Sequence, residues 1–456
     1  MQDGFEDVFT ATAMAALEWG AMPYAKGLID AQYRHYIRED GLTNYRAEEL
    51  AQQARMLTIL ALYYSYSGGD ATFLLQHFAK AKALADWLTA RRATSLCFGA
   101  DDPRYGIPWG ADAPITTSYS DESPSHWYAS AAETYRAFTE LGRVWATIGA
   151  ASGRSDVAAH GAELLKLAPQ LYHDLHASLN RTVNTTAKGE HCWRAAAEAG
   201  VKVPDFRAHS ELMYSGALSA EQTDAIYAAA SGATSCGTAR YLTAGSPGTG
   251  GATIATPTAV GFAYGLLQHD MVERFLLHYF AVSAHAYTRG SFTTPEVSDL
   301  FDRDLPPAPY AAAGVVLAPI YLKWLLCFED LESQTLWLGK AVPRDWLVPG
   351  EAPLVTQRLA TRYGRIAFRV EAIKEDSGLV VKVNVTLPES FSPPTGGLRL
   401  RVRTPLAHVG KLVSVTVGAR KWTSLNAVEE TIHFGSDELS DSKLRKEMQR
   451  IVASFS

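Results

Sequence analysis

The chain has 456 residues, of which 47% are hydrophobic and 20% charged, and its formal net charge is −6. This is the composition of a globular protein long enough for two or three domains. Acidic and basic residues are interspersed without a basic stripe, which argues against nucleic acid as a partner. No apolar run approaches the ~18 residues that a membrane-spanning helix needs, so no membrane partner is expected.

The first residues, Met1 to Asp7, contain neither a basic segment nor an apolar core, so they do not form a secretory leader. Three Asn-x-Ser/Thr sequons occur at Asn180, Asn184 and Asn384, and such sites are used in secreted proteins. Secretion would therefore imply that the true N-terminus lies upstream of Met1. The sequence leaves the localisation open.

Helical periodicity governs the chain from Phe5 to about residue 330. Apolar side chains recur every three to four residues, and glycines stand at the breaks. The phrase Gly68-Gly69-Asp70 predicts a turn followed by a helix N-cap. Short turns join the predicted helices, about eleven in number, so neighbouring helices should be antiparallel pairs.

The pattern changes after Trp346. Alternating apolar residues at 365–370, 379–385, 398–403 and 412–417, separated by Pro and Gly clusters, predict an antiparallel β-sandwich. Residues 436–456 are charged and helix-like. The sequence thus predicts a helical domain over 1–340, a β-sandwich over 341–436 and a charged helix or tail over 437–456.

The four cysteines are widely separated and form no Cys-x-x-Cys pair, which argues against a zinc site. Cys327 lies in an apolar segment and is expected to be a core thiol. Cys192 and Cys236 both fall in loops, and in a secreted protein they should lie within disulfide reach of each other. Asp101-Asp102 is followed by Pro103 without further acids, so no metal or other cofactor is expected.

Three predicted loops, over residues 93–124, 243–256 and 289–309, are longer than connections in compact domains usually are. They contain aromatic residues and few charge runs, so a functional role fits them better than disorder. The first and the third also carry candidate catalytic carboxylates.

Paired helices with long aromatic-rich loops, followed by a β domain, resemble the six-hairpin glycosidases, which include trehalases, processing α-glucosidases and rhamnosidases. The local phrases 63–70 and 102–110 are similar to a hairpin turn and to a substrate-facing loop of these enzymes. Residues 118–124 partly match their Glu-Ser-Gly-x-Asp-x-Ser-Pro loop at Asp121, Ser123 and Pro124, whereas the leading Glu-Ser-Gly is missing. The resemblance implies an (α/α)6 toroid over about residues 5–330, with substrate entering at the end where the loops lie.

Inverting glycoside hydrolysis needs two carboxylates about 6.5–9.5 Å apart, one to donate a proton and one to activate water. The candidates are acidic residues in loops or near helix ends: Asp112, Asp121, Glu122, Glu211 and Glu296. Glu296 is the preferred base, because it has no helix to cap and Pro295 stiffens its backbone, and an acid of the first loop is the preferred donor. The alternative roles are N-capping for Asp121 and Glu122 and an ordinary helical position for Glu211.

Aromatic side chains of the first loop, Trp109, Tyr119 and Trp127, are candidates for stacking against sugar rings. His126 and Arg289 support a second interpretation, because polysaccharide lyases on the same toroid use Tyr or His as base and Arg to neutralise a uronate. A third interpretation is a non-catalytic carbohydrate-binding relative. The sequence therefore predicts a carbohydrate partner and, first among these choices, an inverting glycoside hydrolase.

Overall fold

The computed structural model describes residues 6–44, 49–111, 124–199, 207–230, 253–255, 259–295, 297–299, 310–376 and 378–456. The chain divides into two compact units, one formed by residues 1–16 and 22–318 and the other by residues 17–21 and 319–456. The first unit is mainly helical and the second contains two large β-sheets. A helical part followed by a β part, as the sequence predicted, is thereby confirmed.

The helices of the first unit run from near the N-terminus to the start of the β unit. In chain order they are α1 Glu6–Glu18, α2 Met22–Ala31, α3 Leu50–Tyr66, α4 Ala71–Gln76, α5 Phe78–Ala93, α6 Tyr128–Ser152, α7 Ser155–Thr182, α8 Arg207–Tyr214, α9 Ala220–Ala230, α10 Val260–Gln268, α11 Val272–His285, α12 Ala312–Val315 and α13 Leu317–Leu326. A π-helical turn, Gln32–Tyr36, continues α2. The last residues of α1 and of α13 belong to the second unit.

The longest helices, α6 and α7, form an antiparallel hairpin. Gly153 ends α6 in the left-handed conformation at φ 68°, and α7 begins two residues later. A Cβ at Gly149 would lie 2.4 Å from the backbone nitrogen of Ala158, and one at Gly161 would lie 2.6 Å from that of Ala146. Only glycine permits this close approach of the two helices.

The predicted turn between α3 and α4 is confirmed in detail. Gly68 and Gly69 adopt φ of 75° and 97°, which glycine reaches without strain. The Asp70 carboxylate accepts a hydrogen bond from the Phe73 backbone nitrogen at 3.1 Å and so caps α4. The helix that follows stops at His77, so that α4 and α5 replace the single helix predicted there.

Two short antiparallel strand pairs accompany the helices of the first unit. β1 Asn184–Thr185 pairs with β2 His191–Cys192, and β3 Thr253–Ala255 pairs with β4 Val297–Asp299. Cys192 is disulfide-bonded, whereas Cys97 and Cys327 are free thiols. Cys236, its predicted partner, lies outside the described residues.

The second unit contains a six-stranded and a five-stranded sheet. Its strands are β5 Cys327–Asp330, β6 Thr335–Leu338, β7 Leu354–Leu359, β8 Ile366–Glu375, β9 Gly378–Thr386, β10 Leu398–Arg401, β11 Leu412–Val417, β12 Arg420–Trp422, β13 Leu425–Asn426, β14 Thr431–Phe434 and β15 Ile451–Phe455. The six-stranded sheet, in the order β12-β11-β15-β9-β8-β7, is antiparallel throughout. The five-stranded sheet, β13-β14-β10-β6-β5, is mixed, because β10 pairs with β6 in parallel, so the predicted all-antiparallel pairing is wrong for this sheet.

The second unit differs from the prediction at both of its ends. It begins at residue 319, earlier than the predicted boundary after residue 340, because β5 and β6 belong to the five-stranded sheet. All four residues of each strand are buried, so neither strand shows the alternation that marks a half-buried strand. The predicted charged tail contains α14 Ser436–Ser440 and α15 Ser442–Glu447 and then ends in β15, which lies between β9 and β11.

A short N-terminal segment, residues 17–21, is part of the second unit. The Glu18 carboxylate accepts hydrogen bonds from Lys323 Nζ at 3.1 Å and from Trp324 Nε1 at 2.9 Å. The Arg365 guanidinium donates to the Gly20 carbonyl at 2.8 Å. Because Lys323 is 0% exposed, its charge depends on Glu18 for compensation. In the part of the chain that the structure describes, no helix is long and apolar enough to cross a membrane.

Candidate functional site

Three helices of the first unit bring a cluster of polar side chains into its core. Each helix contributes two residues spaced three apart, which places both on one face of that helix. The six residues, all at most 4% exposed, are Gln52 and Arg55 of α3, Glu133 and Arg136 of α6, and Glu211 and Tyr214 of α8. We call this set the buried polar cluster. Its formal charges, two arginines and two glutamates, balance.

The carboxylate of Glu211, a candidate catalytic residue from the sequence, is held by an oriented amide. Thr10 on α1 donates its hydroxyl to Gln52 Oε1 at 2.9 Å, and Gln52 Nε2 donates to Glu211 Oε1. Because Oε1 of Gln52 is already an acceptor for Thr10, the amide must direct its NH2 group to Glu211. Glu211 therefore receives a hydrogen bond that favours its ionised form.

Arg55 supplies the positive charge beside both carboxylates. It forms a salt bridge with Glu133, with Nε 3.2 Å from Oε1. Burial lowers the pKa of Arg55, but the charges of Glu133 and then of Glu211 outweigh burial, so that the net shift is upward. The pair is nearly inaccessible to water, with 5% and 0% of the two side chains exposed.

The ring of Tyr214 lies between the two arginines. The guanidinium carbons of Arg55 and Arg136 are 4.5 Å and 4.0 Å from its centroid. The Tyr214 hydroxyl contacts the sulfur of Met14 at 3.0 Å, and Arg136 donates to the Tyr214 carbonyl. These contacts fix the orientation of both guanidinium groups, of which that of Arg55 lies beside the carboxylates.

The two ends of the first long loop meet near this cluster. Gly110 and Ser125 exchange backbone hydrogen bonds of 3.0 Å and 2.9 Å. The Leu50 backbone nitrogen donates to the Ala111 carbonyl at 3.3 Å, two residues before Gln52. Gly110 and Ser125, which lie on either side of residues 112–123, are therefore near the N-terminal end of α3, where Gln52 contacts Glu211.

Helix α10 contacts the same helix, α8. Strand β3, which precedes α10, pairs with β4 in the third long loop. The Gly261 backbone nitrogen donates to the Ser210 hydroxyl at 3.2 Å, and a Cβ at Gly261 would lie 1.7 Å from the Ser210 carbonyl oxygen. Ala255, shortly before α10, pairs with Val297, the residue after Glu296. Helix α10 therefore packs against α8 at Ser210, the residue before Glu211.

A second polar group surrounds His126, another residue singled out from the sequence. Its Nδ1 is hydrogen-bonded to Glu198 Oε1, and the Ser125 hydroxyl donates to Glu198 Oε2 at 2.6 Å. Burial alone would raise the pKa of Glu198, but the hydrogen bonds from His126 and Ser125 lower it to about 2. Arg104 lies 3.9 Å from the ring centroid of Phe98, which in turn contacts His126.

The remaining described candidates have different surroundings. Trp127 is 1% exposed and packs with Ala195, Ala196 and Ala208, so its ring faces are not open to a sugar in this structure. Trp109 is 39% exposed, and the guanidinium of Arg91 lies 5.8 Å from its ring centroid.

Arg289 is exposed in the turn that follows α11. The other candidates, Asp112, Tyr119, Asp121, Glu122 and Glu296, lie outside the described residues. The structure therefore leaves their predicted roles untested.

Sequence reasoning missed Gln52, Arg55, Glu133 and Arg136. A signal was available, because each is a polar residue within a run of small and apolar residues on a helix, where charges are rarely buried without a partner. The contact between these residues could not be predicted from the sequence, because Arg55 and Glu133 are 78 residues apart.

Within the described ranges, no group of three or more His, Cys, Asp or Glu residues is arranged to hold a metal ion. No known protein-family profile matches the chain, and a search of curated proteins found none with significant similarity.

Proposed function

We propose that this protein is a glycoside hydrolase that acts on an oligo- or polysaccharide, with its helical unit forming an (α/α)6 toroid. The observation that carries the proposal is the buried polar cluster around Glu211. A buried carboxylate that accepts a hydrogen bond from an amide and lies near a guanidinium, in a water-poor environment, is suited to accept a proton from an attacking water.

The chemistry assigns different roles to the members of the cluster. Glu211 is the proposed proton acceptor. Gln52 holds its carboxylate in position by a hydrogen bond, and Arg55 supplies a nearby positive charge. An acid of the first long loop, Asp112, Asp121 or Glu122, is the proposed donor to the leaving oxygen. The meeting of Gly110 and Ser125 near the N-terminal end of α3 supports this pairing. Because Glu211 is 0% exposed, the proposal requires a conformational change that admits substrate.

The test is an assay of the purified protein against a panel of polysaccharides. New reducing ends without ultraviolet-absorbing product are expected. On the responding substrate, Glu211→Gln should lower turnover at least ~100-fold, because the amide keeps the shape of the side chain but cannot accept the proton. Glu221→Gln, an exposed change of the same type on α9, is the matched control and should leave turnover unchanged.

Two results would contradict the proposal. Near-normal turnover of Glu211→Gln would show that Glu211 is not the base. Glu296 would then be the candidate base, and Glu296→Gln tests it on the same substrate. Binding of a glycan without any product would favour the non-catalytic interpretation.

One observation supports a polysaccharide lyase as second candidate. His126 is oriented by Glu198, and Arg104, which forms a salt bridge with Asp102, also feels the charge of Glu198, so that a base and a cation lie in one polar group. A lyase would release an unsaturated, ultraviolet-absorbing product, and His126→Asn would abolish it.

A further inference from the structure

The outer face of the six-stranded sheet carries a concave polar groove of about 490 Å³. Strands β8, β9 and β15 form its floor, and the turn after α15 forms one wall. Its polar lining residues are Arg369, Glu371, Lys382, Asn384, Gln449 and Arg450. We call this feature the sheet groove. It lies entirely within the second unit.

The register of the strands explains why these side chains converge. Arg369 is paired with Asn384 and Glu371 with Lys382, so all four project from the same face of adjacent strands. The inward-facing residues of β8 and β9, such as Val370 and Val381, are buried in the core. The alternation therefore separates an apolar inner face from a charged outer face.

The groove is positively charged on a protein that is negative as a whole. Arg369, Lys382 and Arg450 oppose one acid, Glu371, whereas the formal charge of the chain is −6. Arg369 contacts Glu371 at 3.0 Å. The ammonium of Lys382 and the guanidinium of Arg450 form no salt bridge within the described structure, and both side chains are exposed.

The groove also holds an amide in a fixed orientation. The Thr386 hydroxyl donates to Asn384 Oδ1 at 3.2 Å, so the NH2 group of Asn384 is available to an acceptor in the groove. The lining residues include no aromatic ring and no exposed large apolar side chain, which argues against base stacking and against membrane insertion.

We infer that the sheet groove binds an anionic saccharide chain, with Lys382 and Arg450 contacting its carboxylate or sulfate groups and Asn384 its hydroxyl groups. The choice of a saccharide rests on the proposed carbohydrate function, whereas the requirement for negative charge rests on the groove itself. The site is an accessory one, separate from the buried polar cluster in the helical unit.

The experiment measures binding by the full chain to polygalacturonate, heparin and neutral dextran, by affinity electrophoresis and titration calorimetry. Polygalacturonate or heparin should bind and dextran should not, and the preferred polymer identifies the anion. The double change Lys382→Gln with Arg450→Gln should weaken binding at least ~10-fold, because each lost contact removes a charge-assisted hydrogen bond.

The charge-matched control is Lys421→Gln with Lys443→Gln, two exposed lysines of the same unit outside the groove. Loss of affinity in the first double variant alone supports the inference. Equal loss in both variants, equal binding of dextran, or no binding of either anionic polymer overturns it. Absence of new reducing ends across the whole polysaccharide panel would reject the hydrolase and leave the groove in place, so the two proposals fail separately.

Discussion

Each unit contains an arginine–glutamate pair whose carboxylate is buried, and the two pairs differ in how completely that carboxylate is bonded. In the β unit, Glu430 accepts hydrogen bonds at both oxygens, from Arg344 at 2.7 Å and from the Thr404 hydroxyl. In the helical unit, both contacts of Arg55 with Glu133 go to Oε1. Glu133 Oε2 is buried and accepts no hydrogen bond from the residues that the structure describes.

The difference in hydrogen bonding indicates that the Arg344–Glu430 pair stabilises the fold, whereas the Arg55–Glu133 pair includes a destabilising, unsatisfied oxygen. A buried carboxylate with both oxygens bonded recovers much of its desolvation energy, whereas an unsatisfied buried oxygen is destabilising by about 1–3 kcal/mol. Glu133 also shares its arginine with a second carboxylate, Glu211. We therefore assign Arg344–Glu430 to stability and Arg55–Glu133 to the function of the cluster.

The largest expected effect on stability is that of Glu430→Ala. It removes the carboxylate partner of Arg344, whose side chain is 17% exposed and keeps its hydrogen bond to the Thr404 carbonyl, so the free energy of unfolding should fall by about 1–3 kcal/mol. Urea unfolding followed by circular dichroism measures the change. Glu429→Ala, at a neighbouring side chain that is 51% exposed, should shift the free energy by less than about 0.5 kcal/mol. Similar losses in both variants would refute the assignment of Glu430.

A smaller effect on stability is expected when both members of the other pair are replaced. Arg55→Met combined with Glu133→Leu should change the free energy of unfolding by about 1 kcal/mol or less, because apolar replacement of a whole buried pair is often neutral. Turnover should nevertheless fall toward the ~100-fold loss expected for Glu211→Gln, because Glu211 loses its nearby positive charge.

The single change Arg55→Met is the control for this prediction. It leaves Glu133 and Glu211 without a common cation and should destabilise the protein more than the double change does. A fully active double variant would show that the pair does not serve catalysis.

The smallest effect is a pH dependence at the group around His126. Hydrogen bonds lower the pKa of Glu198 from 4.5 to about 2 in the folded protein, so its contribution to stability is complete above pH 4.5 and disappears as the pH falls to 2. The difference in unfolding free energy between the wild type and Glu198→Gln should therefore shrink over this range. A constant difference over this range would contradict the lowered pKa of Glu198.

The elements predicted correctly from the sequence are those fixed by local chemistry. Gly68, Gly69 and Asp70 specify a turn and a cap by their own backbone and side-chain preferences. Strands β8, β9, β10 and β11 fall within or overlap the predicted alternating segments, and the alternation is clearest in β8 and β9, where one face is buried and the other is more exposed. The fully buried β5 and β6 carry no such alternation, and they follow the apolar helix α13 directly.

The candidate site was predicted only in part, because it depends on contacts between distant residues. Glu211 was selected from the sequence, but its partner Gln52 is 159 residues away. The burial of Trp127 likewise depends on Ala195, Ala196 and Ala208, which a search for exposed aromatic loop residues cannot reveal. Local patterns identify residue types suited to a chemistry, and the fold decides which of them meet.

The attachment of residues 17–21 to the β unit constrains how the chain acquires its structure during synthesis. Glu18 and Lys323 are 305 residues apart. At typical translation rates of 5–20 residues per second, the ribosome needs about 15–60 s to make that interval. Until then the end of α1 lacks the partners that compensate its carboxylate. A fragment beginning at residue 319 should consequently aggregate when expressed alone, and adding a peptide that covers residues 6–21 should restore its solubility.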